Sequence, residues 1–254
     1  MPNFNGTSRQ GLIVYGGETS DNYGIVVTEA PVFDKPVRKT EVFNVPGRNG
    51  SILFQQNAFE DVVRSYSIFV ATTIGEDSGG DITSDLPTKV NAITAWLNSK
   101  TGYQRLEDDF EPDTFRLAYY SGGNEFSDRL LTTGEATLTF TCRPERFYKN
   151  AEAAVVVATG DTMSNPTKFA SKPLIHIEGS GTVTVSIGGE TVTVKGLVDY
   201  INIDCDRMDA YRLASENKND KVSGAFPTLK PGTNAITITG TTTKVTITPR
   251  YFTI

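Results

Sequence analysis

One stretch, Leu86 to Tyr120 (LPTKVNAITAWLNSKTGYQRLEDDFEPDTFRLAYY), constrains the fold more than any other. It holds the one clear helical pattern in a sequence that otherwise alternates like strands. Leu86, Val90, Ile93 and Leu97 recur at helical spacing and share one face, with Trp96 beside them. Pro87 suits a first turn, where its missing N–H costs nothing, and Asp85 precedes it as a candidate acceptor for the first free N–H groups. Gly102 stands where a left-handed residue would end the helix, so the spacing predicts a helix over about 85–101. Its other side carries Lys89, Asn91, Thr94 and Asn98, the pattern of a helix lying on a sheet. An acidic turn follows (Glu107, Asp108, Asp109, Glu111, Asp113), and then a strand-like run in which Phe115, Leu117 and Tyr119 alternate.

Most of the remaining chain reads as short strands. EVFNV and SILFQ, joined across PGRNG, form a candidate strand pair over 41–55, with Gly47 and Gly50 where positive φ is needed. In VVRSYSIFVATT, Tyr66, Ile68 and Val70 alternate against Ser65, Ser67 and Phe69. Glu76–Ser84, rich in Gly, Asp and Ser, reads as a flexible loop before the helix. Leu130–Cys142 supplies another alternating run. From Ala151 to Pro166 the chain turns small and polar, as a linker does. Beyond it Thr, Val and Ile dominate, and TVTVSI–GG–ETVTVK is the clearest hairpin in the sequence.

Two parts follow: an N-terminal β domain with one helix over 1–148, a linker over 149–165, and a C-terminal β-sandwich over 166–254. The last strand, Lys244–Ile254, could belong to either. A chain of 254 residues with 38% hydrophobic and 21% charged residues can bury a large core, and no apolar run approaches membrane-spanning length. The N-terminus shows no basic cluster followed by an apolar segment, so no secretory signal is expected.

Chemistry is hard to find. A net charge of −6 argues against a protein that grips nucleic acid by its phosphates. His176 is the only histidine and reads as a strand residue facing solvent or a satisfied partner, so Ser-His-Asp, Cys-His and multi-histidine metal sites would each need non-histidine substitutes. Gly179 and Gly181 begin a G-x-G that lacks its third glycine and its helix. The acidic run 107–113 is the best metal candidate, yet it lacks the ligand spacing of a calcium loop and reads as a solvated turn. Cys142 and Cys205 are read as reduced and structural, with a single bridge between them left open. Trp96 reads as core, so 166–254 lack the Trp platform, with His, Asn and Arg nearby, that sugar binding would require. The expectation is a non-enzyme with no cofactor and no metal.

Across nearly its whole length the sequence resembles the distal tail proteins (Dit) of siphophages. The residues that carry the resemblance are NYGIVV (22–27), VPGRNG (45–50) and the AWL helix with its TGYQRLEDD continuation. DTFRLAYY and FTCRPERFYKN follow, then NPTKFASKPLIHIEGSGTVTVSIGG (165–189), VSGAFPTLKPGTNAITI (222–238) and the terminal TPRYF. The resemblance implies that the N-terminal domain forms a homo-hexameric ring, singly or as two stacked rings. It implies that the second domain is a galectin-like β-sandwich projecting outward. The ring would be a baseplate hub at the virion's tail tip, assembled in the bacterial cytoplasm. It would join the tail tube and tape-measure proteins to the tail-associated fibre or lysin protein, with a channel for DNA and no membrane insertion. Six copies at −6 each would disfavour DNA sticking to that channel if acidic residues line it. Val45, Gly47, Arg48, Asn49 and Gly50 are the candidate interface residues, with Glu76–Ser84 a second candidate contact. The alternative is a carbohydrate-binding module that contacts the host surface through the C-terminal domain, although galectin-like topology does not by itself carry sugar binding.

Overall fold

The computed structural model describes residues 11–32, 34–76, 82–122, 127–129, 133–213 and 216–254. The N-terminal ten residues and the portions of expected elements at Phe33, 77–81 and 130–132 lie outside these. The fold is mainly β with one α-helix, in two compact units, Met1–Arg146 with Ile254 and Phe147–Thr253.

The first unit begins with β1 (Ile13–Tyr15), β2 (Glu18–Thr19), β3 (Ile25–Val27), β4 (Arg38–Phe43), β5 (Ile52–Phe59) and β6 (Val62–Ala71). It continues with β7 (Ile74–Glu76), β8 (Ile82–Ser84), α1 (Leu86–Asn98), β9 (Gln104–Asp108), β10 (Thr114–Tyr120), β11 (Ser127–Arg129) and β12 (Thr133–Tyr148). The main sheet runs β2-β1-β9-β10-β12-β6-β3. Alternation in β6 sends Val62, Arg64, Tyr66, Ile68 and Val70 to the buried face. Leu86, Ile93, Trp96 and Leu97 of α1 pack on that sheet with Ile13, Tyr15, Tyr66, Leu138 and Phe140. Trp96 stacks on Tyr23 at 4.7 Å and donates its indole N–H to Tyr15 O at 3.2 Å, so its polar atom is satisfied inside the core. Gly134 makes room for the helix, since a Cβ there would meet Leu86 Cδ1 at 2.6 Å.

Both helix ends differ from expectation. Asp85 does not cap: its carboxylate accepts from Thr73 N–H and pairs with Lys89, while Ser84 Oγ accepts from Leu86 N–H. The helix stops at Asn98, and Gly102 adopts φ +72° three residues beyond the Ser99 cap. The stretch read as a flexible loop is flanked by the antiparallel pair β7–β8, and its centre at 77–81 lies outside the described residues.

The second unit contains β13 (Val155–Val156), β14 (Thr162–Asn165), β15 (Leu174–Ile187), β16 (Glu190–Asp204) and β17 (Asp209–Tyr211). β18 (Val222–Gly224), β19 (Gly232–Thr248) and β20 (Phe252–Thr253) complete it. β13 and β14, inside the stretch read as linker, pair with β19 and bury Met163. The sheet order is β13-β19-β15-β16-β17, with β14 on β19 and β18 on β16. In place of many short strands there are three long ones that bend over their own core. Ile175 and Ile177 on one side of the bend and Val183, Val185 and Ile187 on the other belong to one cluster. Register shifts fall at Gly181/Val183 against β16 and at Glu178/Gly179 and Ser180/Thr184 against β19. Glycine is required there: a Cβ on Gly179 would sit 2.3 Å from Thr241 O, and one on Gly240 would sit 2.3 Å from Thr182 O. The expected hairpin turns at Gly188–Gly189, both with positive φ.

Candidate interaction surface

β4 and β5 form a two-stranded arm that pairs with no other strand among the described residues. Its register sets Val42 opposite Leu53, Phe43 opposite Ile52 and Glu41 opposite Phe54. Six large apolar side chains here are exposed: Val42, Phe43, Val45, Ile52, Leu53 and Phe54, the last three at 42%, 60% and 58%. Adjacent apolar residues point to both faces, so neither face can hide them. An isolated hairpin is marginal in water, and a contiguous exposed apolar patch marks an interface.

The arm's tip holds the five residues expected from sequence, Val45, Gly47, Arg48, Asn49 and Gly50, all exposed. Gly47 and Gly50 both adopt φ +79° with open space around them, Arg48 N–H donates to Val45 O, and Ser51 Oγ donates to Asn44 Oδ1 at 2.6 Å. The sequence reading stopped at the tip and missed the apolar strands below it. The signal was present in the consecutive pairs Val42–Phe43 and Ile52–Leu53–Phe54, which break the polar alternation of a strand with one solvated face.

Charge adds direction. The arm carries Arg38, Lys39 and Arg48 against Glu41 alone, whereas its unit holds 13 Lys and Arg against 20 Asp and Glu. The second unit is close to neutral, with 11 against 10. The acidity of the chain is therefore concentrated in the unit that extends a basic arm.

A buried ion cluster holds the root of that arm, and it corrects the reading of 107–113 as a solvated turn. Arg64 Nη2 donates to Asp108 Oδ2 at 2.8 Å, and Tyr66 Oη donates to the same oxygen at 2.6 Å. Arg64 Nη1 donates to Val32 O at 3.2 Å, and Glu60 N–H donates to Val37 O at 2.8 Å, which fastens both sides of the arm's base. Glu111 receives Arg146 Nη1 at 2.6 Å and Arg116 Nη2 at 3.1 Å. Burial alone would raise the Glu111 carboxyl, but the arginines outweigh it and hold it below the ordinary carboxylate range. Burial and the Asp108 charge push the Tyr66 phenol well up. Carboxylates matched by three arginines offer little to a cation, and no metal-holding group occurs among the described residues.

In the second unit His176 Nδ1 lies 2.8 Å from Asn202 Oδ1, and its ring tilts against Tyr200 at 5.3 Å. Arg212 lies over the same Tyr200 ring at 5.4 Å and pairs with Asp199 at 2.7 Å. His, Asn and Arg thus come together after all, but around a tyrosine already contacted by two side chains. Cys142 and Cys205 are free and buried, so no bridge joins them in this structure, and burial raises their thiols to about 11 and about 12. No helix among the described residues is long and apolar enough to cross a membrane.

No protein-family profile matches the chain, and no curated protein does. A solved structure does: the Dit protein (gp 19.1) of phage SPP1, described as a paradigm of the hub adsorption apparatus in phages infecting Gram-positive bacteria. The likeness covers 96% of this chain and 99% of that one, with a TM-score of 0.73 at 14% identity. At that identity it establishes the fold, a Dit-type fold over both units.

Proposed function

We propose that this chain is a structural hub of a phage tail tip: a homo-hexameric ring adaptor that links the tail tube to the fibre or lysin protein around a channel for DNA. The observation that carries the reading is the arm, an exposed apolar hairpin with three cations extending from a strongly acidic unit. Such an arm is complementary to the acidic body of another copy. A patch on one subunit that docks on a different patch of the next makes a head-to-tail interface, which closes into a ring when its rotation allows. The Dit-type fold over the full chain supports the same conclusion.

The test is absolute mass by light scattering after size exclusion, at several concentrations, for the natural chain and for Phe43→Ser/Leu53→Ser/Phe54→Ser. The natural chain is expected at six or twelve times 27.6 kDa and the variant at one. A natural chain that stays monomeric at every concentration, and still does so with tail-tube protein added, overturns the ring. An arm variant that assembles normally removes the arm from the interface.

A further inference from the structure

The second unit contains a cleft that the hub reading does not use. β16 is paired on both edges at Val192–Val194, by β18, and at Asn202–Asp204, by β17. Between these, residues 197–201 have a partner strand on the β15 edge alone, and Lys195 and Gly196 fall in the register shift that precedes them. The resulting gap is a cleft of about 260 Å³ lined by Lys195, Arg212, Lys218, Lys221 and Tyr200 over an apolar floor of Leu197 and Ile201. Four cations and no carboxylate line it, in a chain of net charge −6.

The cations are partly engaged from outside the cleft. Lys218 pairs with Glu216, Lys221 with Asp220 and Arg212 with Asp199, on side chains that are half-buried (Arg212, Lys218) or exposed (Lys221), while Lys195 has no ion-pair partner among the described residues. Exposed pairs of this kind are worth little and exchange readily for a better anion. Asp199, which anchors Arg212, has φ +70°, a conformation that L side chains seldom adopt and that clusters at functional positions. Arg212 is further fixed by Tyr200, whose ring meets His176 on another side.

We propose that this cleft is a binding site for a small phosphate monoester, with the phosphate among Lys195, Arg212, Lys218 and Lys221 and a short carbon skeleton on Leu197 and the Tyr200 edge. Lys195 is unpaired and the other three cations are each held by one surface carboxylate that a dianion can displace, and guanidinium with ammonium is a recurrent phosphate set. The volume admits a phosphate with a few carbons and excludes a polymer chain lying in the gap. Stacking of a neutral sugar on Tyr200 is disfavoured because Arg212 and His176 already contact that ring.

The probes are glycerol 3-phosphate, inorganic phosphate and glycerol, titrated calorimetrically into the intact protein at low and high salt. Glycerol 3-phosphate is expected to bind saturably and more weakly at high salt, and glycerol to give no saturable heat. Lys218→Ala/Lys221→Ala and, separately, Lys195→Glu are each expected to weaken glycerol 3-phosphate by tenfold or more at unchanged melting temperature. Lys195 and Lys221 are exposed, and half-buried Lys218 pairs only with the surface carboxylate of Glu216. Absence of saturable binding overturns the site, as does binding that neither variant weakens. Inorganic phosphate binding as tightly as the ester overturns the monoester assignment. None of these outcomes depends on ring assembly, so the site and the hub stand or fall separately.

Discussion

Arg64 Nη2 sits 2.8 Å from Asp108 Oδ2, on side chains only 1% and 6% exposed, and the same guanidinium holds Val32 O. One residue thus joins a buried ion pair to Val32, six residues ahead of the arm's first strand. Removing one partner of such a pair leaves an uncompensated charge and costs about 3–5 kcal/mol, whereas removing both costs far less. Arg64→Met and Asp108→Asn should each lower urea stability by about that range for Arg64 and by somewhat less for the isosteric Asn. The double variant should fall short of the sum, giving a measurable coupling energy. Additive losses would mean that the pair contributes nothing beyond its separate contacts.

Acid should destabilise both units, and the sign follows from the carboxylates. Glu111 beside Arg146 and Arg116, and Asp204 beside Arg250, are both held below the ordinary carboxylate range despite burial that opposes it. Each therefore ionises at lower pH in the folded chain than in the unfolded one. Its stabilisation is complete above the unfolded value near 4 and is lost as pH falls through the folded value. Urea midpoints measured from about pH 6 down to about pH 3 should decline, and Glu111→Gln should flatten that decline. An unchanged slope in Glu111→Gln would remove this residue from the acid response.

The bend in the second unit depends on two glycines. An alanine at Gly179 would place its Cβ 2.3 Å from a backbone oxygen of Thr241, and one at Gly240 meets Thr182 O at the same distance. Backbone cannot swing aside as a flexible side chain can, so Gly179→Ala should cost about 2 kcal/mol or more through strain at the crossing of β15 and β19. Gly189→Ala, with nothing within 4 Å but φ +87°, should cost less, about 1 kcal/mol. Thermal melts of the two variants would rank them. A Gly179→Ala variant as stable as the natural chain would show that the bend tolerates a side chain.

What could be read from the sequence follows the strength of local periodicity. The helix face of Leu86, Ile93 and Leu97, the β6 alternation and the Gly188–Gly189 turn are nearest-neighbour patterns, and each appears in the fold. The helix caps depended on competition: Asp85 could serve its own helix or Thr73, and the contact with Thr73, twelve residues back in the chain between β6 and β7, prevailed. The acidic run read as solvated because its arginine partners, Arg64 and Arg146, lie far away in sequence, one on each side. Long bent strands looked like short ones because a glycine bulge and a turn leave the same mark in sequence. At the candidate surface the tip was legible from PGRNG, but its meaning came from Phe43, Leu53 and Phe54, whose exposure no single-sequence pattern reports.

Both cysteines should be silent in the native protein. Cys142 is fully buried and Cys205 3% exposed, and burial raises their thiols to about 11 and about 12, so almost no thiolate exists at pH 8. Ellman's reagent at pH 8 should titrate no thiol in the folded chain and both in guanidinium. Fast reaction of either in the native state would mean that its unit opens readily on the assay's timescale.

The arm's apolar residues and its charges should act on different steps of assembly. In the proposed ring, Phe43, Leu53 and Phe54 would supply area to bury, which sets how long a contact lasts, whereas Arg38, Lys39 and Arg48 would steer the encounter with an acidic neighbour. Reversing the three charges to glutamate should slow association about tenfold or more at low ionic strength, and the difference should vanish near 1 M salt, where the screening length falls to about 3 Å. The serine substitutions on the apolar strands should abolish assembly at every salt concentration. Time-resolved light scattering after mixing at two ionic strengths separates the two effects. A charge-reversed arm that assembles as fast as the natural one at low salt would show that apolar burial alone guides the encounter, and that the concentration of acidity in the first unit has no part in it.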